Sequence, residues 1–158
     1  MLRVNIICVG NLKEKYLKDG CAEYLKRLSA FCKPQVVELK EEKAPGEKEG
    51  EIARSLEKEG QQMLPYLEGA YNIALCIEGK QMPSEKLADQ LEEVALRGFS
   101  KVNFIIGGSY GIWQKVKDQC QMRLSMSQMT FPHQLARMMV LEQLYRAFTI
   151  QNNIKYHK

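Results

Sequence analysis

The chain has 158 residues, 45% of them hydrophobic, enough for one domain with a real core and too few for two comfortable ones. A formal charge of +4 with a pI near 8.7 is only mildly basic, which argues against a chain built chiefly as a polycation for nucleic acid. The charge is uneven: Glu38 to Glu59 carries eight acidic and five basic side chains, whereas His133 to Lys158 carries four basic and one acidic, so the C-terminal end is either the one suited to a polyanion or, as charge alone favours, a solvated basic tail.

In chain order, Leu2 to Val9 is an apolar run closed by Gly10 and predicts a first strand. It is too short for the apolar core of a signal peptide, and nowhere is there the run of about 20 apolar residues that a membrane span needs. Lys13 to Phe31 places Tyr16, Leu17, Tyr24, Leu25 and Leu28 at helical spacing among lysines. Pro34 to Leu39 reads as a second strand, and the polar stretch Glu41 to Gly50, with its Pro-Gly pair, as a loop. Glu51 to Leu67 is a charged helix that Pro65 ends or distorts in its last turn.

Three elements follow closely: a strand over Tyr71 to Ile77, a helix over Ser84 to Arg97, and a strand over Lys101 to Ile106. Ser84 is placed to cap that helix at its start, and Gly98 at its end. A short helix near Gln114 to Gln119, a strand-like piece around Arg123 to Ser127 and a long helix from His133 to Ile150 complete the chain. The alternation predicts an α/β fold, a mostly parallel sheet flanked by helices, with ligands beyond the carboxyl ends of the strands.

Two segments fall at such ends. Gly107-Gly108 and Gly111, in FIIGGSYG, lack the lysine and the spacing of a phosphate loop and the third glycine of a dinucleotide fingerprint, so either plain turn glycines or a non-phosphate ligand fits them. LSMSQMTFPHQ leads through Pro132 into a helix apolar over most of its circumference, either a central core helix or one buried at a subunit interface. His133 lies in its first turn, where packing or capping is the simpler role, and His157 sits in a short terminal tail. Five widely spaced cysteines without a CxxC pair read as reduced thiols of a cytoplasmic protein, and two distant histidines leave no basis for a metal site.

These blocks carry a more specific likeness. FIIGGSYG, LSMSQMTFPHQLARMMVLEQLYRAF and the terminal YHK, together with VNIICVGNLKEKY and EKEGQQML, resemble the SPOUT-class methyltransferases from end to end. Within that class they are similar to the large-subunit methyltransferase H family, which methylates N3 of a pseudouridine in 23S rRNA. The resemblance implies a single SPOUT domain over 1–158 with a C-terminal deep trefoil knot, a homodimer, and S-adenosyl-L-methionine as cofactor. It implies cofactor contacts at Leu75, Gly107, Met126, Ser127, Gln128, Met129, Thr130 and Phe131, and catalysis by His157 as base with Tyr156 positioning. RNA contacts are implied at Arg137, Arg146 and Lys158, on the assembled ribosome, with support of the tail the other role open to the two arginines and an i,i+4 ion pair of Arg146 with Glu142 fitting equally well; many relatives carry Arg-Gly where this chain has Asn152-Asn153. A non-catalytic ribosome- or RNA-binding protein with the same fold, or another nucleotide-binding α/β enzyme, are the alternatives, the missing phosphate motif weighing against the last.

Overall fold

A computed structural model describes residues 1–46 and 48–158; Glu47, inside the loop expected over Glu41 to Gly50, lies outside the described residues. Among these residues the elements run β1 (Arg3–Val9), α1 (Lys15–Leu28), β2 (Lys33–Leu39), α2 (Glu49–Leu67), β3 (Tyr71–Lys80), α3 (Ser84–Leu96), β4 (Lys101–Ile106), α4 (Gln114–Asp118), β5 (Met122–Leu124) and α5 (His133–Gln151). The strands form one sheet in the order β2-β1-β4-β3-β5, and every pairing is parallel. Parallel strands need crossovers, and the helices that make them cover both faces, which is why β1 and β4 are buried almost end to end with no alternation.

One face packs Val4, Ile6, Ile73 and Phe104 against α1, α3 and α5, whose Leu28, Leu91 and Leu144 are fully buried. The other packs Ile7, Ala74 and Ile105 against α2 and α4 through Met63 and Val116. Across the three central strands a polar rung interrupts the hydrocarbon: Asn5, Asn103 and Asn72 stand side by side. Asn5 Nδ2 donates to Asn103 Oδ1 at 2.9 Å, and Asn103 Nδ2 donates to Asn72 Oδ1 at 2.8 Å and to the Tyr66 carbonyl at 2.8 Å. A one-residue slip would bury unpaired amides, so the rung pins the register of the sheet.

Several boundaries differ from expectation for local reasons. Ser84 is not the cap of α3: extended Pro83 holds that position, and the Ser84 hydroxyl donates instead to Gln143 Oε1 on α5 at 2.7 Å. Gly98 does end the helix, at φ +92° with Phe99 N–H reaching the Val94 carbonyl, the left-handed close that favours glycine. Pro65 is accommodated inside α2, which runs on to Leu67. β3 continues past Ile77 to Lys80 because, beyond an irregularity, Lys80 pairs with Leu124. β5 itself is shorter than expected and ends at Leu124.

α5 lies between α1 and α3 and is anchored by Phe148, stacked on Phe31 with ring centroids 6.0 Å apart, and by Tyr145 against Tyr24 and Tyr156. It closes through Asn153, at φ +54°, with Ile154 N–H bonded to the Thr149 carbonyl at 2.9 Å. Asparagine tolerates that conformation nearly as glycine does.

Candidate functional site

The carboxyl ends of β3 and β4 and the segment after β5 converge on one cavity of about 820 Å³. After β4 the chain makes a tight turn: Gly111 N–H donates to the Gly108 carbonyl at 3.1 Å, and Gly111 takes φ +96°. Gly107 must be glycine, since a Cβ there would run into the Gly111 carbonyl and stand 2.9 Å from Ile112 Cγ1. On the opposite wall, Ser125 N–H donates to the Lys80 carbonyl at 2.9 Å, tying the segment after β5 to the end of β3. That approach needs a bare backbone at Gly79, where a Cβ would sit 2.7 Å from the Leu124 carbonyl carbon. Two serines then order the loop: Ser125 Oγ donates to the Ser127 carbonyl at 3.0 Å, and Met129 N–H donates to Ser127 Oγ at 3.0 Å.

Of the residues expected to hold a cofactor, Leu75, Gly107, Met126, Ser127, Met129, Thr130 and Phe131 line this cavity, and Gln128 does not. Sequence reasoning missed others that line it, including Glu78, Ser109, Lys117 and His133. Lys117 Nζ lies 2.8 Å from Glu78 Oε1, and its donated hydrogen bond holds the Glu78 carboxyl below the usual range. No local pattern marks that pair, because the two residues meet only when β3 and α4 pack. His133 makes no cap; extended Pro132 precedes the helix.

Arg137 is a correction. Expected at an RNA surface, it is 2% exposed, with Nη1 2.6 Å from Glu38 Oε2 and Nη2 donating to the Gly10 carbonyl at 3.0 Å. A guanidinium committed this way ties α5 to β1 and β2 and offers phosphate no face. Its field also reaches Cys8, whose thiol burial nevertheless pushes up to about 11. Cys32 and Cys120 rise to about 12 and about 11 for the same reason, so these thiols stay protonated and unreactive.

The tail residues lie away from the cavity lining, on the face made by α3 and α5. Tyr156 donates its hydroxyl to Glu142 Oε2 at 2.6 Å, which pushes the phenol up to about 12. Arg146 holds Glu142 at 3.0 Å, packs its guanidinium 4.8 Å from the Tyr156 ring centre, and reaches His157 Nδ1 at 3.1 Å. Because arginine only donates, Nδ1 accepts; His157 Nε2 faces Glu85 Oε1 at 2.5 Å and donates to it. Lys158 is exposed. Among the described residues, no group of three or more His, Cys, Asp or Glu is arranged to hold a metal ion, and no helix is long and apolar enough to cross a membrane.

Solved structures share the fold: a tRNA (m1G37) methyltransferase from Aquifex aeolicus superposes with a TM-score of 0.54 at 13% identity, over 92% of this chain and 69% of that one. A probable methylase family protein from Haemophilus influenzae Rd KW20 gives 0.50 at 12% identity, over 95% and 66%. Curated relatives named ribosomal RNA large subunit methyltransferase H match at 52% identity in Streptococcus thermophilus LMD-9 and 47% in Streptococcus gordonii, each over 99% of this chain and 100% of the relative. The model described as a predicted SPOUT methyltransferase matches residues 2–157, and the chain belongs to the SPOUT methyltransferase family.

Proposed function

We propose that the chain, as one domain over residues 1–158, is a cytoplasmic homodimeric enzyme that methylates N3 of a pseudouridine in 23S rRNA on the assembled ribosome, using S-adenosyl-L-methionine. One observation carries the reading: seven of the residues expected at a cofactor surround a single cavity in a chain about half identical, end to end, to relatives named for ribosomal RNA methylation. The lining suits such a donor. Leu75, Ile106 and Phe131 provide apolar walls for a flat base, Ser109 and Thr130 provide hydroxyls for a ribose, and Lys117 with Glu78 provides opposite charges for an amino-acid end. A phosphate loop would be of no use, because the donor carries no phosphate. The C-terminal part is proposed to thread as a deep trefoil knot, as the family likeness implies.

Bound there, S-adenosyl-L-methionine supplies an electrophilic sulfonium methyl. The residues of the chain do the rest. His157 takes the proton from N3 on Nδ1 once that nitrogen is released from Arg146, while Nε2 stays bonded to Glu85, and Tyr156, whose phenol keeps its own proton, orients the base. Arg146 and Lys158 meet RNA phosphates, with Arg146 also supporting the tail. Holding donor and acceptor in line accounts for much of the acceleration. Pairing two copies would supply a composite RNA surface that a net charge of +4 on one chain does not.

The test is incubation with methyl-labelled S-adenosyl-L-methionine and ribosomes from a strain lacking this modification, followed by mass mapping of the product nucleotide. N3-methylpseudouridine in 23S rRNA is the expected product. Cofactor binding without methyl incorporation would leave a binding protein instead.

A further inference from the structure

A second cavity of about 660 Å³ opens on the α3 and α5 side of the segment after β5. It shares Leu75, Leu124, Ser125, Met126 and Ser127 with the first, so the two chambers abut along one wall. We infer that this chamber seats the acceptor: a neutral six-membered imide ring turned out of an RNA strand. The inference rests on the methyltransferase reading above and adds the place where its substrate sits.

Its chemistry separates this occupant from others. Among the described residues none that lines it is charged, so neither a phosphate nor the zwitterionic end of an amino acid finds a counter-ion there. Its floor, Leu87, Phe104 and Val140, is buried and apolar, while Met82, Met126 and Met139 supply flexible thioethers that close around a flat ring. The lining also carries the polar side chains of Ser84, Ser125 and Gln143. Gln143 Oε1 is taken by the Ser84 hydroxyl at 2.7 Å, while Gln143 Nε2 makes only a long 3.4 Å contact to its neighbour Glu142 and keeps a proton for a ring carbonyl. An imide presents two carbonyl oxygens flanking one N–H, and an amide donor in the lining reads such an edge.

Position adds a separate reason. Ser84 and Gln143 are the immediate chain neighbours of Glu85 and Glu142, the carboxylates that hold His157 and Tyr156. The chamber thus shares a wall with the methyl-donor cavity and is lined by the chain neighbours of the two residues that hold the tail, a setting that suits a base accepting a methyl and losing a proton. Bases that undergo chemistry leave the stack, and single-stranded RNA is read by enclosing the splayed ring.

Two variants test the assignment on the full-length protein. Met139→Trp fills the chamber; Gln143→Leu removes the amide and keeps the helix. For each, S-adenosylhomocysteine affinity, molecular mass in solution, and kcat and KM on undermethylated ribosomes are measured. Met139→Trp is expected to lower kcat/KM about 100-fold and Gln143→Leu to raise KM about 10-fold, with S-adenosylhomocysteine affinity within about two-fold of wild type and mass unchanged. Unchanged turnover in both overturns the assignment. Loss of S-adenosylhomocysteine affinity would give the chamber to the donor, and a change in mass would give it to a second copy; either also overturns it. If Met139→Trp does not fold, Gln143→Leu decides alone. A wild-type chain without methyl transfer sinks the methyltransferase reading and this one with it, whereas wild-type turnover that survives in both variants sinks only this one.

Discussion

Replacing Gly79 by alanine tests whether the wall between the two chambers is held by backbone contact. The new Cβ would lie 2.7 Å from the Leu124 carbonyl carbon, and 2.8 Å from both the Arg123 carbonyl carbon and the Leu124 nitrogen. Ordinary contact begins at 3.4 Å, so the segment after β5 must retreat by about 0.7 Å (3.4 − 2.7), and every atom met is backbone that cannot rotate away. Overpacking of this kind costs about 1–3 kcal/mol, or about 6 °C in Tm for a chain of this size. Because Ser125 to Ser127 ride on the displaced strand end, S-adenosylhomocysteine affinity should fall about 10-fold and methyl transfer further. Gly69→Ala is the control: Gly69 has φ +73° but nothing within 4 Å of its Cβ position, so the substitution strains the backbone by about 1–2 kcal/mol and touches no cavity residue. Calorimetric titration and thermal melting of both variants suffice. Equal ligand affinity in Gly79→Ala and wild type would refute the reasoning, as would an equal loss in Gly69→Ala.

Asn103→Leu should destabilise by about 3–5 kcal/mol in urea titration, since it leaves Asn5 Nδ2, Asn72 Oδ1 and the Tyr66 carbonyl without their partner; replacing all three asparagines by valine should recover part of that loss. Arg137→Met should cost about 2–4 kcal/mol, lessened by the partial exposure of Glu38, and leave ribosome affinity unchanged in a filter-binding assay. Deleting Tyr156 to Lys158 should abolish most methyl transfer while S-adenosylhomocysteine affinity stays within about two-fold; undiminished activity would remove the tail from catalysis. The Tyr156 phenol ionises near pH 12, above its ordinary value of 10, so the folded state favours the protonated form: this contribution is complete below pH 10 and is lost between pH 10 and about 12. Ultraviolet titration should show one late-ionising tyrosine that moves toward pH 10 in Glu142→Gln.

Much of the molecule was legible from residue patterns. The strands of the parallel sheet are apolar runs bounded by turn residues, and Gly98 marked the end of α3 because a left-handed close excludes most side chains. The candidate cavity was legible too, but through the spaced blocks of a family likeness rather than through physics: GGSYG alone left a plain turn and a ligand loop equally open. Ser84 misled because a serine before an apolar stripe is an ordinary cap signal, and nothing local reveals that Gln143, 59 residues later, will claim its hydroxyl. Arg137 misled in the same way. On a helix read alone it is a surface cation, and its burial follows only from Glu38 and Gly10 arriving from two strands.

By itself the sequence determined the order and kind of the elements, since hydrophobic period and turn chemistry act within a few residues of one another. Tertiary structure alone decided the sheet order β2-β1-β4-β3-β5, the passage of the segment after β5 against Gly79, the Lys117–Glu78 pair, and the second chamber beside the first cavity. Strands buried on both faces carry no alternation to say which neighbour they take, and a cavity is made by side chains that come together only once packing and the asparagine rung have set the register.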